Sequence, residues 1–293
     1  MIDAHVHHWQ LDRLRYPWLD SPEFAQLRTD YLPADYRADA EGVPLEGWVH
    51  IQAEADHAGD PVAETAWVAA LAEQAAGGGL PGPLACVVYA DLRAEDLSVT
   101  LTRHRAYSLT RGVRQEVWFD PESTRADIPR EDILGDPRWA EGYRSLADHG
   151  LSFDLVAWPA QLPQFAAIAA RTPTVPVVLD HFGMRDPGSD PGLRTWRTGV
   201  SLLARLPQVY VKLSAVSLLG TPRDEGAVRA VVGELLELFG PHRCLIGSNF
   251  PVERMAGGFA EGYRIMTASL RGLATDERDE VLAETARRFY RIP

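Results

Sequence analysis

The chain has 293 residues, of which 46% are hydrophobic, and carries a formal net charge of −12. This length fits one α/β barrel or two ordinary domains, and the acidic balance argues against nucleic-acid and anionic-membrane partners, which both need clustered positive charge. Two cysteines in apolar runs, no apolar stretch of bilayer length and no signal-type block at the start predict a reduced, cytoplasmic protein.

Short runs rich in β-branched and aliphatic residues alternate with longer amphipathic runs rich in alanine and leucine. The eight predicted strands are Ile2–His7, Gly47–Glu54, Leu84–Asp91, Arg111–Glu116, Ser152–Val156, Val175–His181, Gln208–Ser214 and Arg243–Asn249. The predicted helices include Pro61–Ala76, Pro137–His149, Gln161–Arg171, Pro191–Arg205, Glu225–Phe239 and a last one from about Thr275 to Tyr290. Eight strand–helix units in a chain of this length predict a single-domain (β/α)8 TIM barrel over residues 1–293. A doubly wound open sheet is the alternative, but it would need a glycine-rich phosphate loop after an early strand.

A long segment between the first two strands, about residues 8–46, is the main irregularity. Its aromatic residues include Trp9, Tyr16, Trp18, Tyr31 and Tyr36. Loops that follow barrel strands build active sites, so this segment predicts an aromatic lid or an oligomer contact, and a homodimer is one expectation. The alternative is that the aromatic residues only attach the loop to the barrel.

Polar residues occupy most of the predicted strand ends. The C-terminal ends of all barrel strands open onto one mouth, so we expect these side chains to converge. His5 and His7 form a His-x-His pair whose side chains share one face of the first strand, within reach of one metal ion or one substrate. His181, at the end of an apolar run, is a candidate catalytic residue at the same mouth.

Carboxylates and a guanidinium at other strand ends supply further candidates. Glu54 and Asp154 are candidate catalytic acids or bases. Arg114, beside Glu116, predicts binding of a small substrate that is acidic or polyhydroxylated. Three tryptophans are candidate contacts for a substrate ring: Trp9, Trp118 and Trp158.

Lys212 is the only lysine of the sequence and lies between apolar strand residues. This position predicts a salt bridge facing a helix, with a buried Schiff-base lysine as the alternative. Four other histidines are expected in solvated positions: His57, His104, His149 and His242.

The complete set of motifs resembles the amidohydrolase superfamily. The opening Ile2-Asp3-Ala4-His5-Val6-His7-His8-Trp9 is similar to its first strand. Later motifs resemble its lactonase-like branch of sugar-lactone and muconolactone-type hydrolases, which is similar to the amidohydrolase-2 group that also holds decarboxylases: Tyr16-Pro17-Trp18-Leu19, Gly112-Val113-Arg114-Gln115, Leu179-Asp180-His181-Phe182-Gly183, Val211-Lys212-Leu213-Ser214 and Gly247-Ser248-Asn249-Phe250-Pro251-Val252. The resemblance implies a (β/α)8 barrel, ring-opening hydrolysis of a small lactone, and a catalytic core that includes His5, His7 and His181.

The strand-8 motif departs from the family pattern. Relatives have Gly-Ser-Asp-Trp-Pro, where the aspartate transfers the proton of the attacking water, whereas this chain has Asn249 at that position. An amide cannot hold that proton at neutral pH. Another group would have to replace the aspartate: His181, Glu54, Glu116 or Asp154.

The resemblance also bears on a cofactor. A mononuclear site could be formed by His5, His7, Glu54 and His181, with zinc as the foremost ion, while a metal-free enzyme is equally open. The histidine that binuclear relatives carry on strand 5 is absent, which argues against two metals. Three functions follow, led by a lactone hydrolase; the others are a decarboxylase, isomerase or other lyase, and a ligand-binding protein without turnover.

Overall fold

Eight strands, each paired in parallel with the next, form the wall of a barrel. The computed structural model describes residues 1–123, 129–185, 190–220 and 223–293. The strands are β1 (Ile2–Val6), β2 (Gly47–Ile51), β3 (Pro83–Val88), β4 (Thr110–Val113), β5 (Ser152–Leu155), β6 (Val177–Leu179), β7 (Val209–Leu213) and β8 (Cys244–Ile246). Val6 pairs in parallel with Phe250 beyond β8, which joins the two ends of the sheet. The predicted (β/α)8 architecture is confirmed.

Helices follow the strands, and all but the short α6 at the mouth lie outside the ring of strands. They are α1 (Pro33–Asp39), α2 (Ala63–Gly77), α3 (Leu97–Arg105), α4 (Pro137–Ser145), α5 (Leu162–Ala170), α6 (His181–Met184), α7 (Asp190–Ala204), α8 (Glu225–Phe239), α9 (Phe259–Ser269), α10 (Thr275–Asp279) and α11 (Thr285–Phe289). A π-helical segment, Glu280–Glu284, joins α10 to α11, so the predicted last helix is present with a wider turn in its middle. Within the described part of the chain, no helix combines the length and apolarity needed to cross a membrane.

Every strand ends earlier than the sequence predicted. β2, for example, ends at Ile51 rather than Glu54, and β8 ends at Ile246 rather than Asn249. Glu54 and Asn249 have φ values of 54° and 61°, which a strand does not accommodate. These two polar side chains therefore stand on the loops that leave the strands, where left-handed backbone turns aim them at the mouth of the barrel.

The opposite end of the barrel is closed by the C-terminal helix. Phe289 and Tyr290 of this region pack with buried strand residues that include Ile2 and Leu245. Arg291 donates 2.9 Å hydrogen bonds to the carbonyl oxygens of Arg111 and Gly150, near the starts of β4 and β5. This apolar plug leaves the C-terminal ends of the strands as the accessible face.

The 8–46 segment is held to the barrel by its aromatic residues. Trp9, Tyr31 and Tyr36 are almost fully buried in one cluster with Trp48 of β2, and the Trp9 indole donates to the Thr29 carbonyl at 2.6 Å. These residues therefore attach the loop to the barrel, as the simpler of the two expectations had it. Trp18 and Phe24 of the same segment also line the cavity described below. A homodimer remains a prediction.

Gly142 marks a close approach between α4 and the chain after β3. A Cβ atom there would lie 1.9 Å from the carbonyl oxygen of Leu92, whereas a Cβ at Gly233 in α8 would meet nothing within 4 Å. We expect Gly142→Ala to lower the free energy of unfolding by about 1–3 kcal/mol through overpacking. The matched Gly233→Ala should raise it by up to about 1 kcal/mol because alanine favours the helix. Urea unfolding of both variants measures the difference, and equal effects would contradict the close contact.

Candidate active site

A cavity of about 350 Å³ opens at the C-terminal ends of the strands. Its walls include eight residues that the sequence predicted for the site: His7, Glu54, Arg114, Glu116, Trp118, Trp158, His181 and Asn249. They also include Trp18 of the aromatic 8–46 segment and three residues that the sequence did not indicate: Phe24, Ser217 and Glu253. Convergence of the predicted side chains follows from the barrel, because every strand delivers its last residues to the same rim.

Trp9 does not belong to these walls. It packs behind Trp18, with ring centroids 5.5 Å apart, and so supports a cavity residue instead of presenting its own face. Trp118 and Trp158 do line the cavity and form a pair with ring centroids 5.0 Å apart. Two of the three tryptophans predicted to contact a substrate ring therefore lie at the cavity, and Trp9 is corrected to a supporting position.

His5 and His7 form a hydrogen-bonded chain beneath the cavity. The Nε2 atoms of the two rings are 3.2 Å apart, and His7 Nδ1 is 2.9 Å from the carbonyl oxygen of Ile51. Burial, and to a lesser extent nearby cations, hold the pKa of both imidazoles well below the ordinary value. Both rings are therefore neutral at pH 7.

Lys212 points into the barrel, so the predicted salt bridge facing a helix is wrong. The Nζ atom is fully buried, 2.6 Å from Asp154 Oδ2, 3.0 Å from Asp180 Oδ1 and 3.2 Å from His5 Nδ1. Alternation along β7 explains the orientation, because Val209, Val211 and Leu213 occupy the helix-facing side. This period-two pattern around the only lysine was the signal that could have identified it.

Asp154 lies deeper than predicted. It is not among the residues that line the cavity; its Oδ2 atom accepts hydrogen bonds from Lys212 and, at 2.7 Å, from the hydroxyl of Tyr290. Burial raises the pKa of this carboxyl to about 6, against the opposing effect of Lys212. Asp154 therefore lies below the histidines and does not reach a substrate in the cavity.

His181 stands on the left-handed turn α6. All four residues of this turn have φ between 52° and 70°, a region that ordinary residues enter only at an energetic cost. The turn places the imidazole against Ser214, whose Oγ lies 2.9 Å from Nδ1. Burial lowers the pKa of His181 to about 4, so the ring is neutral at pH 7 and has a lone pair available at one nitrogen.

Asp180 also belongs to the site, although the sequence did not indicate it. It is fully buried, and its ligand atoms lie within 4.8 Å of those of His5 and His181. Strand alternation would turn neighbouring residues to opposite sides, but the chain leaves extended geometry between Asp180 and His181, so both face inward. The left-handed turn is what removes the alternation.

The group of His5, Asp180 and His181 differs from the predicted metal set. Glu54 is instead engaged by Gln52 and by His57, whose Nε2 lies 3.1 Å from Glu54 Oε2. Two neutral imidazoles and a carboxylate are the donors of mononuclear zinc enzymes. Asp180 Oδ1 lies 3.0 Å from Lys212 Nζ, and Oδ2 has no hydrogen-bond partner among the described residues, which fits a cation at this point. The ammonium of Lys212 is the cation already beside it.

Glu54 and Arg114 give the cavity its charge. Burial raises the pKa of Glu54, but the hydrogen bond from His57 and the charge of Arg114 outweigh burial, and the pKa is lowered overall. Arg114 donates to the carbonyl of Gln52 at 2.8 Å, and its Nε lies 3.5 Å from Glu116. The mouth therefore combines a guanidinium with carboxylates that are ionised or paired.

Of two further histidines expected in solvated positions, His57 is exposed, as predicted, and His104 is not. His57 stacks on Tyr89 with ring centroids 3.6 Å apart, in addition to its contact with Glu54. His104 is fully buried and contacts Thr65 Oγ1 at 2.9 Å. Asn249 keeps the position that the strand-8 motif predicts, since its backbone N–H donates to the His5 carbonyl at 2.8 Å and its side chain is at the cavity.

An eight-stranded barrel with imidazoles, carboxylates and a guanidinium converging at its mouth has the architecture of a (β/α)8-barrel enzyme. The chain belongs to the amidohydrolase family, whose model, described as Amidohydrolase, matches residues 2–292. It is 29% identical to an L-fucono-1,5-lactonase of Burkholderia multivorans over 100% of this chain and 96% of that protein. A crystal structure of a Burkholderia multivorans amidohydrolase with bound zinc superposes with a TM-score of 0.82 at 28% identity, over 100% of this chain and 99% of that one. A crystal structure of a Burkholderia multivorans amidohydrolase with bound HEPES superposes with a TM-score of 0.83 at 27% identity, over 100% of this chain and 99% of that one.

Proposed function

We propose that the protein hydrolyses a neutral, polyhydroxylated lactone of the sugar-lactone type. The observation that carries the proposal is the content of one cavity: a neutral imidazole at His181, the guanidinium of Arg114, several carboxylates and a pair of tryptophans. The lactonase name of the Burkholderia relatives supports the same reaction class.

The charges at the mouth favour a neutral substrate over an acidic one. Three carboxylates line the cavity, on Glu54, Glu116 and Glu253, and Arg114 is already beside Glu116. Carboxylates accept hydrogen bonds from sugar hydroxyls and repel a second carboxylate. The faces of Trp118 and Trp158 suit the C–H face of a saturated ring. A decarboxylase needs an acidic substrate, which the same carboxylates would repel. Decarboxylation is therefore the second candidate function.

In the proposed reaction His181 is the base. Water adds to the lactone carbonyl as His181 takes its proton, and Arg114 stabilises the oxyanion. The bond between the carbonyl carbon and the ring oxygen then breaks, and the imidazolium returns the proton to that oxygen, giving a hydroxy acid. Ser214 holds Nδ1 and so leaves Nε2 for the transfer. Asn249 takes no proton and orients substrate through its amide.

A divalent ion would be held by His5 and Asp180, with His181 as a third donor. When bound, such an ion supplies Lewis-acid polarisation of an oxygen atom. The zinc in the Burkholderia structure supports this option. An ion on His181 would compete with the role of that residue as base, so the metal content of active protein belongs to the same experiment.

A panel of ring-matched compounds tests the proposal. Aldono-γ- and δ-lactones are compared with γ-butyrolactone, δ-valerolactone and a carboxylated lactone, with proton release followed by an indicator dye and metal content measured on protein purified without chelator. We expect kcat/KM for the best hydroxylated lactone to exceed that of its unsubstituted ring by at least about 100-fold, because a ring without hydroxyls cannot donate hydrogen bonds to the carboxylates that line the cavity. Release of CO2 from carboxylated compounds without lactone hydrolysis would instead indicate a decarboxylase, and calorimetric binding without either product would indicate a binding protein.

A further inference from the structure

We propose that Lys212 fixes the tautomer of His5 and thereby prevents the His-x-His pair from binding a divalent ion tightly. The inference concerns the same site as the proposed function but does not depend on the substrate. It follows from the hydrogen-bonded chain that runs from Ile51 through His7 and His5 to Lys212.

The Ile51 end of this series of hydrogen bonds sets the direction in which each bond donates. A backbone carbonyl can only accept, so the nitrogen of His7 that lies 2.9 Å from the Ile51 oxygen, Nδ1, carries the hydrogen. The Nε2 atom of this neutral ring is then an acceptor. His5 Nε2, at 3.2 Å, must donate to it.

The Lys212 end of the series independently indicates the same tautomer of His5. An ammonium has three donors and no lone pair, so His5 Nδ1, 3.2 Å from Lys212 Nζ, must accept. A neutral imidazole that accepts at Nδ1 carries its hydrogen at Nε2. Asp180 Oδ1 lies 3.6 Å from His5 Nδ1, too far to stabilise the opposite tautomer by a hydrogen bond.

This arrangement uses the lone pairs that a metal would need. To bind an ion through Nε2, His5 would have to move its hydrogen to Nδ1, where it would face the ammonium of Lys212. The ammonium cannot easily move away, because it is fully buried and anchored by Asp154 at 2.6 Å and Asp180 at 3.0 Å. A divalent ion would also add positive charge next to it. Lys212 therefore acts as a positioning residue that selects between the metal-free and metal-bound forms of the site.

The first test needs no variant. Long-range ¹H–¹⁵N correlation spectra of the full-length, metal-free protein with ¹⁵N-labelled histidine report the tautomer of each ring, and the signals of His5 are those lost in His5→Asn. We expect His5 with its hydrogen on Nε2 and His7 with its hydrogen on Nδ1. A hydrogen on Nδ1 of His5 would overturn the proposal.

The second test measures zinc affinity by competition with a chromophoric chelator. Lys212→Met combined with Asp154→Asn removes the ammonium and its deepest carboxylate partner together, so that no unpaired charge is left at position 154. We expect this double variant to bind Zn²⁺ about 10- to 100-fold more tightly than the native protein, the range in which groups next to metal ligands act. Tyr290→Phe is the matched control, since it removes the other contact of Asp154 while keeping Lys212, and its affinity should stay near native. Equal affinity of the native protein and the double variant would contradict the proposal, and because no turnover is measured, that result is separate from failure of the lactone assay.

Discussion

Replacing His181 by asparagine is expected to lower kcat/KM for the best lactone of the panel by about 10²- to 10⁴-fold, the usual contribution of a general acid–base catalyst. Asparagine retains a polar side chain of similar reach but cannot take a proton from water. The residue lines the cavity and is neutral at pH 7, since burial lowers its pKa to about 4. Steady-state kinetics by proton release, with circular dichroism to verify folding, measures the effect.

Two further variants separate catalysis from general damage. Ser214→Ala removes the hydroxyl that lies 2.9 Å from His181 Nδ1, and we expect a smaller loss, mainly in kcat, because the ring loses its orientation but keeps its lone pair. His242→Asn changes an exposed histidine that contacts Glu280, and it should leave activity unchanged. Activity of His181→Asn close to that of His242→Asn would show that another group is the base.

The barrel could be predicted because its signals are local. Each strand is a short apolar run and each helix an amphipathic one, and their alternation specifies a parallel sheet. Convergence of residues such as Glu54, Arg114 and Asn249 on one mouth needed no further information, since barrel geometry imposes it. The family resemblance, carried by the same residues, is confirmed by the match over residues 2–292.

The buried layer beneath the cavity could not be predicted in the same way. Asp154 and Tyr290 are 136 residues apart in the chain and meet only because the C-terminal helix closes the barrel. Asp180 faces inward two residues after the inward-facing Val178, but His181 joins it only because a left-handed turn interrupts strand alternation, and nothing in the immediate sequence specifies that turn apart from Gly183. Side-chain partners at this depth depend on tertiary packing, whereas the strand ends depend on local pattern.

Lys212 shows how a general preference can hide a specific position. Lysine is rarely buried unless it is paired, so a salt bridge on the helix-facing side was the ordinary expectation. The apolar residues at every second position of β7 already occupied that side. The pairing that makes burial possible comes from Asp154 on β5 and from Asp180 after β6.

Replacing Lys212 alone by methionine is expected to lower the free energy of unfolding near pH 8 by about 3–5 kcal/mol, because removal of one partner leaves buried charges without compensation. Asp154 and Asp180 are both fully buried, and each has lost its nearest cation in this variant. An exposed ion pair should behave differently. Arg197→Met, which removes the surface contact with Glu234, should cost less than about 1 kcal/mol. Urea unfolding of both variants measures the contrast.

The loss in free energy of unfolding caused by Lys212→Met should depend on pH in a defined direction. Burial raises the pKa of Asp154 to about 6, above its ordinary value of 3.8, so the folded state binds this proton more strongly and loses stability as the pH rises from about 4 through 6. The charge of Lys212 opposes that rise. Its removal therefore moves the folded-state pKa of Asp154 higher, and the loss of stability continues to higher pH. The difference between native protein and Lys212→Met should therefore be small near pH 4 and grow toward pH 8. Addition of Asp154→Asn should remove most of this growth, whereas a penalty independent of pH would mean that packing around the lysine stem, and not its charge, stabilises the barrel.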